Sequence, residues 1–116
     1  MNTELTETGD KLELTCIGKY LQADLLGLID QISEARRRNP EVQKCIMNAL
    51  EADIQLGGIG EFFVGEYAAK RLGGMKIAIL AHSGQISNLL ENTAYNRGLK
   101  IRMVATREEA EAWLAG

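Results

Sequence analysis

Apolar and polar positions alternate with a period of two at the start of the chain and then change to a helical period. "ELTETGDKLELTCIG" holds two alternating segments separated by Gly9-Asp10. This pattern predicts a β-hairpin, with Leu12, Leu14 and Cys16 on one face of its second strand. In "ADLLGLIDQISEARRRNP", Leu25, Leu28, Ile29 and Ile32 fall at i, i+3, i+4 and i+7, one helical stripe. Asn39-Pro40 ends that helix, because the residue before a proline avoids the helical region. "VQKCIMNALEA" is mostly apolar and fits a strand buried on both faces. A glycine-rich entry then leads into a second helix, which closes at Gly73-Gly74 with a left-handed cap residue expected. "MKIAILAH" is the clearest strand. The third helix is expected from about Gln85 to Arg97, with Ile86, Leu89, Leu90 and Thr93 at helical spacing and Gly98 as its stop. "KIRMVAT" is a further strand. Thr106 caps a last helix, Glu109 completes a capping box, and Ala110, Trp113 and Leu114 form the inward stripe.

The resulting order is β-β-α-β-α-β-α-β-α. Alternating strands and helices predict an α/β fold with a mainly parallel sheet and right-handed crossovers. The opening hairpin supplies one antiparallel edge. The helices are expected mainly on one side of the sheet. The chain has 116 residues and shows no internal repeat, low-complexity tract or linker, so a single domain over residues 1–116 is expected.

Composition narrows the function classes. Hydrophobic residues make up 46% of the chain and the net charge is −3, which gives no global basic field for nucleic acid. The single histidine, and the absence of any CxxC, exclude the usual zinc patterns, and no cofactor is implied. Cys16 and Cys45 sit inside apolar runs and read as buried, reduced thiols. "MNTELTETGDK" has no apolar signal region, and no apolar run approaches the roughly 20 residues that span a bilayer. A cytoplasmic location without stable membrane insertion is the expectation.

"LGGIGEFFVGEYAAKRLGG", Leu56 to Gly74, is the most unusual stretch. Gly57, Gly58 and Gly60 precede the helix. They read either as tight packing and turn geometry or as a cradle of backbone N–H groups for an anion. No lysine follows as in a phosphate-binding loop, and Glu61 in the first turn opposes a phosphate. On the helical wheel Val64, Ala68 and Leu72 share an inward face. Ile59, Phe62 and Phe63 fall on the other side, near Glu66 and Lys70. An exposed aromatic pair at a helix start reads as a contact surface, and the alternative is that a neighbouring loop covers the rings. The partner-binding set is therefore Ile59, Glu61, Phe62, Phe63 and Glu66. The partner is a protein or a second copy of the chain as a homodimer.

A second candidate set would take a small ligand, between the glycine turn (Gly57, Gly58, Gly60), the His82-Ser83 loop and Arg102. His82 and Ser83 follow a parallel strand, where α/β ligand sites form. No Gly-x-Ser-x-Gly elbow accompanies them, and Ser83 is more simply a helix cap, so the chain is not expected to be an enzyme. Arg102, inside a strand, pairs with an acid such as Glu51 or Asp53 or lies on a polar edge. Arg36, Arg37 and Arg38 end the first helix as a solvated run that complements its dipole, with anionic membrane contact as the minor alternative.

The order of elements, with "QLGGIGEFF" before the second helix, resembles the STAS (SpoIIAA-like) family, the fold of anti-sigma-factor antagonists. Gly58, Ile59 and Gly60 match the last three positions of that family's Asp-Ser-Ser-Gly-aliphatic-Gly pattern. "RLGGMKIAIL" resembles its passage into the fourth strand. "NRGLKIRMVATREEAEAWL" is similar to the tail of small bacterial STAS-like proteins. The resemblance implies a mixed sheet of about five strands with about four helices, and a non-catalytic regulatory module that binds a protein. The alternative it implies is a carrier or sensor for a nucleotide or lipid. In antagonists of that family the serine before Gly-aliphatic-Gly is phosphorylated. Gly57 stands at that position here, and no hydroxyl occurs between Asp53 and Tyr67. The phosphoswitch is expected to be absent.

Overall fold

The computed structural model describes residues 2–85 and 88–116. The elements are β1 (Asn2–Thr8), β2 (Lys11–Tyr20), α1 (Gln22–Arg38), β3 (Lys44–Ile54), α2 (Gly58–Leu72), β4 (Lys76–Leu80), α3 (Asn88–Asn96), β5 (Lys100–Val104) and α4 (Arg107–Ala115). They follow the expected order. The five strands lie in the sheet as β1-β2-β3-β4-β5. β1 is antiparallel to β2, and the other three pairings are parallel.

Strand order decides where the helices go. Each parallel crossover steps in the same direction across the sheet. Right-handed crossovers then place α1, α2 and α3 on one face. Their side chains close a core with Leu12, Leu14 and Cys16 of β2, Cys45 and Ala49 of β3, and Ile77 and Ile79 of β4. α4 follows the last strand and covers the opposite face, packing Ala110 and Leu114 on Ile46, Ala78, Leu80 and Val104. Trp113, expected on the same inward stripe, is only half buried, and its indole N–H donates to the Ile77 carbonyl at 3.0 Å. Cys16 and Cys45 are buried free thiols, and burial pushes both thiols up, away from thiolate chemistry.

The ends of the helices show what sequence spacing could not. Gly74 takes the left-handed value expected after α2, at φ +91°. The carbonyls at that end are satisfied from a neighbour: Arg36 donates to Gly73 O at 2.7 Å and to Arg71 O at 3.0 Å. Arg36 is thus the cap of another helix rather than part of a solvated run. Thr106 accepts from the Glu109 N–H at 3.1 Å, as expected of a cap, while its hydroxyl faces the Glu109 carboxylate at 3.1 Å. α3 lies within the expected span, but Gln85 belongs to the preceding turn, and Ile86 falls outside the described residues.

α2 and α3 approach closely at Gly65. A Cβ there would stand 2.8 Å from the Leu90 carbonyl oxygen and 3.1 Å from Thr93 Cβ, so only glycine fits. α4 is tied to the sheet by two ion pairs. Arg107 binds Glu13 through both oxygens, at 2.9 and 2.6 Å, and Lys11 binds Glu111 at 2.9 Å. The Arg107 hydrogen bond, offset in part by desolvation, holds the Glu13 carboxyl below its ordinary value.

Two outcomes follow from these contacts. Gly65→Ala is expected to lower the unfolding free energy by about 1–3 kcal/mol through overpacking. Gly27→Ala, in α1 with open space around its Cβ, is expected to raise it by about 0.5–1 kcal/mol. Urea titration checks both. A carboxyl whose folded pKa is depressed adds stability that is complete above its unfolded value and fades as pH falls through the folded one. The Glu13 contribution is therefore intact at neutral pH and begins to fade only as pH falls through the ordinary glutamate value of about 4.3. Arg107→Gln should lower stability at pH 7 and flatten the acid side of the stability profile.

Candidate functional site

Gly57 is the N-cap of α2, and its φ of −87° and ψ of 176° are ordinary extended values that any residue adopts. Gly58 and Gly60 also have negative φ, since neither is among the positive-φ glycines. The expectation that these glycines supply a special turn geometry is therefore corrected. Gly60 instead tolerates a close neighbour: a Cβ there would meet the Gln22 side-chain oxygen at 3.2 Å.

From this start the helix divides by period. Val64, Ala68 and Leu72 enter the core. Ile59, Phe62 and Phe63, at i, i+3 and i+4, point away from it and are 87%, 41% and 49% exposed. Two adjacent large rings cannot enter one core direction, and here the inward direction is already filled by Val64 and the α3 contact at Gly65. Leu89 of α3 is exposed as well, next to Gly58, although its spacing placed it on the inward stripe of α3. It extends the apolar stripe onto a second helix.

The rim of the stripe is polar and ordered. The Arg97 guanidinium lies over the Phe62 ring at 5.1 Å and pairs with Glu66 at 3.1 Å. Glu66 is half buried, at the edge of the stripe. Glu61 departs from its expected role: it is 8% exposed, so its side chain is not part of the contact surface. A carboxylate in the first turn complements the positive end of the helix dipole.

Of the second candidate set, His82 and Ser83 line an open cleft with Glu109, and Arg102 is not among its lining residues. β3 runs on past the end of β4: the β3–β4 register stops at Asn48↔Leu80, while β3 continues to Ile54 against β2 alone. The carbonyls on that free side need donors. Gln85 Nε2 donates to Ala49 O and Ala52 O, each at 2.6 Å, and the His82 Nε2–H donates to Leu50 O at 3.0 Å. His82 is thereby engaged in closing the sheet edge, and Ser83 makes no hydrogen bond to it among the described residues. Gln85 was passed over in the sequence because glutamine at a helix start carries no signal of this task. Arg102 pairs with neither Glu51 nor Asp53. It stacks on Trp113 at 4.6 Å, with Lys76 also over that ring at 4.5 Å, on the α4 side of the sheet.

An apolar cavity lies between α1, α2, α3 and the sheet, lined by residues such as Leu28, Met47, Val64 and Ile101. Its volume is about 50 Å³. Among the described residues no group of histidine, cysteine, aspartate or glutamate is arranged to hold a metal ion, and no helix is long and apolar enough to cross a membrane.

No protein-family model matches the chain, and no curated protein matches it. Solved structures do. The unphosphorylated anti-sigma factor antagonist SpoIIAA matches with a TM-score of 0.61 at 15% identity, over 99% of each chain. An uncharacterized protein of the DUF3478 family with a SpoIIAA-like fold, from Shewanella loihica PV-4, matches at 0.59 and 15% identity, over 97% of this chain and 92% of that one. The phosphorylated form of the Bacillus cell fate determinant SpoIIAA matches at 0.54 and 18% identity, over 96% and 97%. The chain has a STAS-type, SpoIIAA-like fold.

The Gln85 bridge gives a direct test of the sheet-edge reading. Gln85→Ala leaves the Ala49 and Ala52 carbonyls without that donor and should lower the unfolding free energy by about 1–2 kcal/mol. Hydrogen exchange should also quicken over residues 49–54.

Proposed function

We propose that the protein is a non-catalytic, regulatory binding module that docks a protein partner through the outward face of the first half of α2. The observation that carries this reading is the exposed stripe Ile59, Phe62 and Phe63, with Leu89 beside it, on a helix whose other face is fully used by the core. Large aromatic residues on a rigid helix, rimmed by an ordered ion pair, have the composition of a binding hot spot. The stripe spacing of i, i+3, i+4 fits an apolar groove or a second helix.

The SpoIIAA structures supply a precedent in kind: an anti-sigma factor antagonist with phosphorylated and unphosphorylated forms. Gly57 at the start of α2, with no hydroxyl before Tyr67, argues that docking here is not gated by a phosphate at that turn. His82, bonded to a backbone carbonyl, lends no support to an acid-base role.

The carrier reading finds little room in the core: ligand pockets run to roughly 300–1,000 Å³, and the apolar cavity under the helices is about 50 Å³. The open cleft beside His82, Ser83 and Glu109, about 320 Å³, is the place left to that reading. A melting-temperature screen against nucleotides and fatty acids is expected to show no stabilisation. A reproducible upward shift would favour the carrier.

The docking surface is tested with Phe62→Ser/Phe63→Ser. Loss of two hot-spot rings is expected to weaken self-association, or capture of a specific partner, by about tenfold or more. The circular dichroism spectrum should be unchanged, since neither ring is in the core. Equal association and equal capture by the variant would contradict this surface.

A further inference from the structure

Lys11, Lys44, Lys76 and Lys100 are the first residues of β2, β3, β4 and β5. They are also register partners: Lys11 pairs with Lys44, Lys44 with Lys76, and Lys76 with Lys100. Four lysines thus form one straight row across the starting edge of the sheet, about 14 Å long at the usual strand spacing. Nothing in the linear sequence displays this row, since its members are far apart along the chain.

The helix layer adds to the same end of the molecule. A crossover helix runs back from the end of one strand to the start of the next, so α1 and α2 finish here, with Arg36, Arg37 and Arg38, and with Lys70 and Arg71. The Arg36 bonds to Gly73 O and Arg71 O tie those two ends together. Arg102 and Lys76 continue the charge onto the α4 side, over Trp113. Carboxylates answer part of it: Asp10 with Lys44, Asp30 with Arg71, Glu34 with Arg37, and Glu111 with Lys11. Among the described residues Arg38, Lys70 and Lys100 pair with no carboxylate. The chain carries net −3, so this basic end faces an acidic one. Asp24, Glu61, Glu91 and Glu109 lie there in the first turns of the four helices, with Glu51 and Asp53 at the end of β3.

Cations at helix C-termini relieve the dipoles, which accounts for the arginines of α1 and α2. It does not call for Lys100, Lys70 and Arg38 to extend unpaired into solvent. We propose that this end of the molecule is an adsorption surface for an anionic lipid bilayer. The charges spread in two dimensions over the helix layer, the sheet and the α4 side. That matches a planar array of headgroups better than a strand-tracking groove. The one tryptophan is stacked under two cations, so no open aromatic platform is offered to nucleic-acid bases. Adsorption this way turns the Ile59–Phe62–Phe63 face, at the opposite end of the strands, away from the membrane. The proposal is independent of the docking reading of α2.

Co-sedimentation with vesicles tests it. The whole chain is expected to sediment with phosphatidylglycerol-rich vesicles, not with pure phosphatidylcholine, and to be released by added salt. Arg38→Glu/Lys70→Glu/Lys100→Glu should reduce partitioning at least about tenfold with an unchanged circular dichroism spectrum. Lys19→Glu, near the other end of β2, should leave it unchanged. Failure of the wild-type chain to bind anionic vesicles, or equal binding by the triple variant, would overturn the proposal. Tighter binding to duplex DNA than to the vesicles at the same salt would overturn it too, and would make nucleic acid the occupant.

Discussion

Right-handed crossovers between parallel strands that are always added on the same side are the constraint from which the rest of this structure follows. They stack α1, α2 and α3 on one face and leave α4 to close the other. Because the strand order never reverses, the sheet has no switch point at which helices part to form a ligand crevice. The apolar cavity under the helices is far smaller than a nucleotide or a lipid chain requires. The proposed docking therefore uses the outer surface. α2, held on α1 by the Tyr67–Asp30 hydrogen bond of 2.7 Å and on α3 at Gly65, is a rigid place to display it.

The same constraint orders the charges. Every helix starts at the end of a strand, so all four N-termini collect at one end of the molecule with their first-turn carboxylates. The strand starts and the ends of α1 and α2 collect at the other end with their lysines and arginines. The apolar stripe of α2 lies at the acidic end and the lysine row at the basic end. One fold rule thus separates two surfaces of different chemistry on a domain of modest size.

Element order and type were legible in the sequence because period and punctuation agreed. Alternation around Gly9-Asp10, the Leu25–Ile32 stripe and the stop at Pro40 each pointed one way. That at least one of Phe62 and Phe63 leans outward was legible too, since two adjacent bulky residues cannot share one inward direction. Features that depend on register or on distant partners were not. Gly65 is indistinguishable in sequence from any other glycine until Leu90 and Thr93 stand opposite it. Gln85 acquires its task only because β4 stops six residues before β3 does. The burial of Glu61, the exposure of Leu89 and the stacking of Arg102 on Trp113 are likewise set by neighbours from other elements. Gly57, Gly58 and Gly60 read as packing and turn geometry, yet none of the three has a positive φ.

The chain contains two phenylalanines, and both belong to the proposed contact surface. Uniform labelling with fluorophenylalanine therefore gives a fluorine spectrum whose two signals report on that surface alone. With a soluble paramagnetic chelate present, both signals should broaden in the isolated chain. Both should be protected from it when the chain associates with its partner or with itself. A signal shielded from the chelate in the isolated chain would place its ring in the core. Two signals that stay accessible after association would show that docking occurs elsewhere.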